Sequence, residues 1–173
     1  MTSLDTVAPG AVRNRTITWN DPAASRAQGR ELDGFERLTA MQRGEIAPPP
    51  AVAMLAMHLD EVERGRTVFS MVSDEMHENP MGTMHGGVVA TLVDTAMGCA
   101  LSSQLPAGDA FTTLELKTNF VRAITPATGR IRAEGTVIHS GGRVATTEAR
   151  VLDDNDNLYA HATSTCLILR GSR

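Results

Sequence analysis

The longest proline-free apolar stretch of the chain, residues 86–104, constrains the fold more than any other feature. It is longer than ordinary strands, so it predicts a helix rather than a buried strand. On a helical wheel most of its apolar side chains fall on one broad face, which we expect a sheet to cover. These side chains are Val88, Val89, Leu92, Val93, Ala96, Cys99 and Ala100. The opposite face is expected to allow close approach, because it carries mainly small residues, namely Gly87, Ala90, Asp94, Gly98 and Leu101.

Strand-like segments lie on both sides of this helix. Before it, residues 54–63 and 66–74 predict a hairpin that turns at Gly65. After it, polar and glycine-rich turns separate four further segments, 110–122, 130–139, 143–152 and 157–169. Because short turns join antiparallel neighbours, these four are expected to form a meander. The sequence therefore predicts an α+β domain with one long helix and an antiparallel sheet.

The N-terminal part of the chain lacks a sustained hydrophobic period. Residues 1–30 are rich in Ala, Ser, Thr, Arg and Pro, which predicts a flexible or loosely docked extension. Residues 33–44 then predict a short helix that is capped by Asp33 and ends at Gly44, before a run of prolines. We expect one folded domain over residues 31–170.

Composition excludes several classes of protein. The 173 residues carry a net charge of −4 and only 3% aromatic side chains, which argues against a nucleic-acid-binding protein. The two cysteines, Cys99 and Cys166, are interpreted as reduced core residues, and the five histidines lack metal-ligand spacing. The acidic run 153–157 lacks the glycine and glutamate of a calcium loop and predicts a hairpin turn. With no membrane span and no secretory leader pattern, we expect a cytoplasmic protein without a membrane partner.

Asp94 is the one charged residue in the long apolar stretch. Burying a lone carboxylate costs several kcal/mol unless the carboxylate is paired or neutralised. Two interpretations follow. Asp94 is either a structural residue bonded to a nearby hydroxyl or backbone group, or a general base whose proton affinity is tuned by its surroundings.

The start of the helix suggests a second chemical group. Gly86 and Gly87 open the helix, so their N–H groups lack intrahelical partners and suit an anion or a developing oxyanion. Asp94 lies roughly 12 Å further along the helix axis. A base and an oxyanion donor must act on the same small group, so one chain cannot easily supply both. If both are catalytic, two antiparallel copies of the helix are required, and the active unit is a symmetric dimer.

The segment NPMGTMHGG at residues 79–87, followed by Asp94, resembles the signature of hotdog-fold acyl-CoA thioesterases. Residues 114–122 and 125–129 also resemble the phenylacetate-pathway (PaaI-like) branch of that family, and the likeness extends over about residues 34–169. It implies a hotdog fold, in which a curved antiparallel sheet wraps a long helix. It also implies a homodimer as the smallest active unit and assembly of dimers into a homotetramer.

The resemblance further implies catalytic roles. Asp94 would be the general base or the nucleophile, while Asn79 and the Gly86 N–H of the partner subunit would hold the water and the thioester oxygen. A threonine on the next strand would position the water. Thr113 is the best match, and the adjacent Thr112 would take its place if the alignment shifted by one residue.

The remaining site residues are expected to shape the loop or bind coenzyme A. His85 is interpreted as a hydrogen-bonding residue that points away from the glycine donors, rather than as an acid or base. Coenzyme A carries phosphates, so positive charge is needed near it. The candidate contacts are Gly87, Thr112, Arg122, Ser140, Gly141 and Arg143, with Arg130 and Arg132 as further cations. Met54, Met57 and Met81 are candidates for the acyl pocket, although core packing explains them equally well.

The function implied is hydrolysis of an aryl- or medium-chain acyl-CoA to the free acid and CoA, without a metal or organic cofactor. Two alternatives remain open on the same fold. One is a non-catalytic domain that binds or senses acyl-CoA, and the other is a hydratase acting on enoyl thioesters. The presence together of Asn79, Gly86 and Asp94 favours an enzyme over the binding domain. The spacing from the His-Gly-Gly segment at residues 85–87 to Asp94 resembles thioesterases more than hydratases.

Overall fold

An antiparallel sheet packs against one long helix in the computed structural model, which describes residues 10–171. The helices are α1 Pro22–Gln28, α2 Gly34–Gln42, α3 Pro50–Met54 and α4 Gly86–Ser102. The strands are β1 His58–Glu63, β2 Arg66–Val72, β3 Ala110–Phe120, β4 Arg130–Ser140, β5 Val144–Asp153 and β6 Leu158–Leu169. The predicted α+β class is confirmed. Within residues 10–171, none of the helices has the length and apolar character needed to cross a membrane.

The sheet has the strand order β1-β2-β4-β5-β6-β3, and every neighbouring pair is antiparallel. The predicted β1–β2 hairpin is confirmed, but the predicted meander is wrong at its first strand. β3 pairs with β6 instead of β4, because the connection over residues 121–129 is long enough to pass two strand positions. β3 therefore lies at one edge of the sheet and β1 at the other.

α4 packs across one face of the sheet and forms the main core with it. The predicted apolar face of the helix is buried at Val89, Leu92, Val93, Ala96 and Ala100. The helix approaches the sheet most closely at Gly135, where a Cβ atom would lie 2.5 Å from the carbonyl carbon of Ala96. Thr67 Oγ1 donates to the Ala96 carbonyl at 2.8 Å and fixes the same turn. Only glycine permits this contact.

The opposite face of α4 is less open than the helical wheel predicts. Gly98 and Leu101 are buried, because β3 lies over the second half of the helix. The Phe111 ring occupies the space beside Gly98, where a Cβ atom would lie 2.6 Å from the ring. The space left by the missing side chain of Gly98 is therefore filled by the Phe111 ring of the same chain. Asp94 and the first turn of the helix remain partly exposed.

The helices before the sheet are built from local capping signals. Asp33 caps α2 as predicted: its carboxylate accepts from the Glu36 N–H at 2.8 Å, and the Glu36 carboxylate accepts from the Asp33 N–H at 2.9 Å. α1 forms inside the segment predicted to be an extension, with Asp21 accepting from the Ala23 N–H. Residues 1–9 lie outside the described residues, and the flexibility of residues 1–30 stays a prediction.

The proline run does not remain extended throughout. Pro50 occupies the first turn of α3, a position where a helix tolerates proline because no N–H bond is lost there. This short helix delays the start of β1 to His58, four residues after the predicted start at Met54. α2, the first residue of α3 and the loop between these helices line one cleft together with the second half of α4.

The acidic run between β5 and β6 forms a hairpin turn, as predicted. The Asp153 carboxylate accepts from the backbone N–H groups of Asn155 and Asn157, each at 2.9 Å. It also accepts from the Asn157 side chain at 3.0 Å and the Tyr159 hydroxyl at 3.2 Å. These hydrogen bonds, chiefly the one from the Asn157 side chain, hold the pKa of Asp153 below its ordinary value.

We expect Asp153→Asn to lower the Tm at neutral pH by several degrees, because an amide cannot accept from all four donors. The pKa of Asp153 is lower in the folded state than in the unfolded chain. Its stabilisation is therefore complete above the unfolded value of about 3.9 and is lost as pH falls through the folded value. Thermal unfolding by circular dichroism should show the Tm difference shrinking in acid. Asp154→Asn, in the same turn but outside this set of bonds, is the control, and an equal Tm loss there would contradict the prediction.

Candidate active site

The Asp94 carboxylate is paired with a hydroxyl on β3. Thr113 Oγ1 donates to Asp94 Oδ1 at 2.8 Å, in a partly buried setting. Thr112 is exposed on the other side of the strand, because successive strand residues alternate between faces. No described residue donates a hydrogen bond to Asp94 Oδ2. The arrangement fixes the orientation of the carboxylate and leaves one of its oxygens free to accept a proton from water.

A second group of predicted site residues lies at the start of α4. Asn79, Gly86 and Arg122 line one cleft of about 400 Å³, together with Phe120 and Tyr159. The Gly86 N–H has no acceptor among the described residues, so it is a free donor in this cleft. The Phe120 ring lies against Gly86, where a Cβ atom would be 3.0 Å from the ring. A side chain at this position would meet that ring.

Asn79 is held by its own loop. Its Nδ2 donates to Thr83 Oγ1 at 2.9 Å, and its Oδ1 accepts from the backbone N–H of Met81 at 2.9 Å. These bonds form a local turn of the kind that Asn often makes. Nδ2 carries a second N–H for which the structure places no partner among residues 10–171. Asn79 therefore shapes the loop and also presents one remaining donor.

His85 caps α4, which corrects the expected direction of its side chain. His85 Nδ1 accepts from the Gly87 N–H at 2.9 Å, so the ring points toward the glycine donors and not away from them. Its hydrogen-bonding role agrees with the sequence-based interpretation. One consequence concerns Gly87, whose N–H is already bonded and is not available to a ligand. Of the two glycines, only Gly86 offers its N–H.

The candidate contacts for coenzyme A are divided between two ends of the sheet. Arg122 lies just beyond the end of β3, with its guanidinium over the Tyr159 ring at 5.4 Å. The turn that holds Ser140, Gly141 and Arg143 lies instead beside the start of β3, because β6 pairs with both segments there. Roughly 33 Å of strand separates the two ends. One chain therefore does not bring Arg122 and Arg143 together.

Two further arginines are paired with carboxylates. Arg130 donates to Asp60 and Asp154, each at 2.9 Å, and Arg132 is bonded to Glu134 and Asp156. The hydrogen bond that Arg132 donates to the Asp156 carboxylate is the main reason that the pKa of Arg132 is raised. With carboxylates already in contact, these two side chains are poorly suited to bind phosphate. Arg122 and Arg143 are in no ion pair with a described residue.

The structure separates the three candidate methionines. Met57 is buried in the core, Met54 is half-exposed on α3, and Met81 lies at the cleft of Asn79 with 82% of its surface exposed. They do not form one pocket. Both cysteines are free, with Cys166 buried and Cys99 partly buried. Among residues 10–171, no group of three or more His, Cys, Asp or Glu side chains is placed to hold a metal ion.

Comparisons with known proteins agree with this architecture. Residues 81–160 match the family described as the thioesterase superfamily. A candidate esterase of Saccharolobus solfataricus is 31% identical over 109 residues, which are 63% of this chain and 76% of that protein. A candidate esterase of Halobacterium salinarum is 37% identical over 93 residues, 53% of this chain and 59% of that protein. The chain thus spans less than two thirds of the Halobacterium relative.

Solved structures extend the likeness to the fold. The PaaI protein from the phenylacetic acid degradation operon of E. coli superposes with a TM-score of 0.70 at 19% identity, over 83% of this chain and 98% of that one. A phenylacetic acid degradation-related protein of Ralstonia eutropha gives 0.69 at 25% identity, over 75% and 98%. A long helix against a curved antiparallel sheet, with these neighbours, defines a hotdog fold. The chain belongs to the thioesterase superfamily, and the resemblance to PaaI-like hotdog thioesterases is confirmed.

Proposed function

We propose that this protein is an acyl-CoA thioesterase that hydrolyses an aryl- or medium-chain acyl-CoA to the free acid and CoA. The observation that carries the proposal is the hydrogen bond between Thr113 and Asp94. It fixes a partly buried carboxylate and leaves its Oδ2 free, in a chain that belongs to the thioesterase superfamily. The free N–H of Gly86 in the cleft of Asn79 supports the second half of the site.

In the proposed mechanism Asp94 acts as a general base. Oδ2 takes a proton from water as the water oxygen attacks the thioester carbonyl carbon. The carbonyl oxygen becomes an oxyanion that accepts from the Gly86 N–H, at the positive end of the α4 dipole. Collapse of the tetrahedral intermediate breaks the carbon–sulfur bond, and the leaving thiolate takes up the proton. In the alternative, an Asp94 oxygen attacks the carbonyl carbon and expels the CoA thiolate, and water then hydrolyses the resulting anhydride to the free acid and the Asp94 carboxylate.

The site requires a second copy of the chain. Asp94 and Gly86 are separated by roughly 12 Å of the same helix. β3 is an edge strand with exposed apolar side chains along it and just after it: Leu114, Phe120 and Val121 are 58%, 59% and 58% exposed. Antiparallel pairing of two β3 strands would place the start of each beside the end of the other. That pairing brings Asp94 of one subunit toward Gly86 of its partner, and Arg143 toward the partner's Arg122. We propose a homodimer as the active unit, joining into a homotetramer.

The test of the activity is free-thiol release from a panel of aryl-, short- and medium-chain acyl-CoAs, with product analysis on an enoyl-CoA. We expect CoA release from at least one saturated acyl-CoA. Retained acyl-CoA binding without hydrolysis would instead support the binding or sensing domain. Hydration of the enoyl-CoA without thiol release would support the hydratase.

A mixing experiment tests whether the site is shared between subunits. Asp94→Asn and Asn79→Ala proteins, each weakly active, are denatured together in equal amounts and refolded. In a shared site, each hybrid dimer carries one intact and one doubly altered site, so about a quarter of wild-type activity should return. If Asp94 and Asn79 act within one chain, mixing restores nothing. Each variant refolded alone is the control.

A further inference from the structure

A second cleft, of about 560 Å³, lies at the second half of α4, where Cys99 and Ser102 line it. This volume is in the range that ligand pockets occupy in proteins. Its walls come from α1, α2, the loop over residues 43–49, and the second half of α4 together with β3. Much of its lining is apolar and includes Leu38, Met41, Ile46, Pro49, Cys99 and Phe111. The cleft contains neither Asn79 nor Gly86.

The contacts between α4 and β3 lead from this cleft to the catalytic carboxylate. Phe111 and Thr113 are two residues apart on β3 and share a face, and Gly98 and Asp94 are four residues apart on α4 and share a face. The Phe111 ring lies against Gly98, and the Thr113 hydroxyl is bonded to Asp94. Phe111, which lines the cleft, thus lies about one helical turn along α4 from Asp94. The cleft lining includes neither Asp94 nor Thr113, and Phe111 is the lining residue of β3 that lies beside them.

Cys99 provides a neutral wall at this end of the cleft. Burial raises the pKa of the Cys99 thiol to about 12, and among the nearby charges Arg37 lowers it while Asp94 raises it. At neutral pH the thiol is protonated, so it is a small apolar surface and a poor nucleophile.

Arg37 and α1 close the opposite side. Arg37 Nη2 donates to Ser102 Oγ at 2.9 Å, which fixes the charged head against the end of α4. The Arg37 stem packs beside Gly29, where a Cβ atom would lie 3.0 Å from Arg37 Cδ. Long charged side chains commonly expose such stems as apolar surface. The wall therefore presents mainly hydrocarbon to an incoming group.

We propose that this cleft holds the acyl tail of a medium-chain acyl-CoA, whose thioester is cleaved at Asp94 of the same subunit. The inference rests on the proposed function and specifies its substrate class. An acetyl group would leave most of the apolar wall uncovered, whereas each methylene added inside contributes hydrophobic stabilisation. The outer wall comes from residues 22–50, which lie outside the segment 81–160 matched to the family. Chain-length preference is thus set by a part of the chain that the family match does not include.

The proposal is tested by placing a large side chain in the cleft, on the loop over residues 43–49. Ala47 is partly buried and lines the cleft, whereas Ala51 is exposed on α3 and does not line it, so Ala47→Trp and Ala51→Trp are a matched pair. For the wild type, kcat/KM should rise about fourfold per added methylene from acetyl- to hexanoyl-CoA. Ala47→Trp should lose roughly tenfold or more on decanoyl-CoA and stay within about twofold on acetyl-CoA. Ala51→Trp should follow the wild-type profile.

Each other outcome overturns a stated part. A wild-type profile in Ala47→Trp, or a wild-type preference for phenylacetyl-CoA over decanoyl-CoA, would overturn the medium-chain assignment. Hydrolysis of no acyl-CoA by the wild type would overturn the proposed function alone. Calorimetric titration with decanoyl-CoA then tests whether the cleft holds the acyl tail. Weaker binding by Ala47→Trp than by Ala51→Trp supports this role of the cleft, and equal binding overturns it. Thermal unfolding of both variants checks that they fold.

Discussion

Asp94→Asn is expected to lower kcat by roughly 10²–10⁴ on the best acyl-CoA, the usual contribution of a positioned base. The amide keeps the size of the side chain and can still accept from Thr113, so the fold and the hydrogen bond to β3 are preserved. It loses the basic oxygen that takes the proton of water. Thiol release under saturating substrate gives kcat directly, and circular dichroism confirms folding.

Thr113 supplies the companion variants for this experiment. Thr113→Val removes the hydroxyl that orients Asp94 and should reduce kcat less than Asp94→Asn does, while Thr113→Ser should restore most of the rate. A folded Asp94→Asn protein with wild-type turnover would exclude Asp94 as base and as nucleophile. Asp154→Asn, an exposed carboxylate paired with Arg130, is the control for a general effect of charge and should leave kcat unchanged.

Asn79→Ala is expected to cost about 10²–10³ in kcat if the side chain holds the water or the oxyanion. A second explanation for a lower kcat is a disordered loop, because removing the Asn79 side chain also removes its hydrogen bonds to Met81 and Thr83. The two explanations differ in their effect on the Tm of the substrate-free enzyme. A loss through the loop lowers the Tm as well as the rate, whereas a loss at the reacting group lowers the rate alone.

Thr83→Val distinguishes these two explanations. It removes the acceptor of the Asn79 Nδ2 group but keeps the Asn79 side chain in place. If Asn79 acts on the reacting group, Thr83→Val should lose less than about tenfold, well short of the loss in Asn79→Ala. Equal losses of kcat in the two variants would make Asn79 a structural loop residue and leave Gly86 as the oxyanion donor.

The long helix and its two chemical groups could be predicted because their signals are local. The α4 segment is long, apolar and free of proline. The capping box of α2 involves only Asp33 and Glu36, which are three residues apart. The pairing of β3 with β6 could not be predicted from the sequence, because it depends on where the connection after β3 returns to the sheet. The resemblance favoured Thr113 over Thr112 only by a one-residue alignment, whereas the face of β3 that meets α4 distinguishes the two threonines.

The remaining differences arise from contacts that leave no pattern in the sequence. Histidine is an uncommon helix cap, so the bond from the Gly87 N–H to His85 was not expected. The apolar cleft draws on α1, α2 and a proline-rich loop whose side chains are scattered along the chain. α1, α2 and the loop each contribute three lining residues, but the sequence does not indicate that these three segments meet beside α4.

The open edge of β3 also affects how the protein is inactivated by heat. An unpaired edge of this length, with exposed apolar side chains and no proline, is a template for strand addition by any other chain. Subunits separated by heat should therefore aggregate in competition with reassembly, so that heat inactivation becomes partly irreversible and depends on the heating rate. Shelf life would then be governed by how fast the subunits separate, and concentrated stocks should outlast dilute ones.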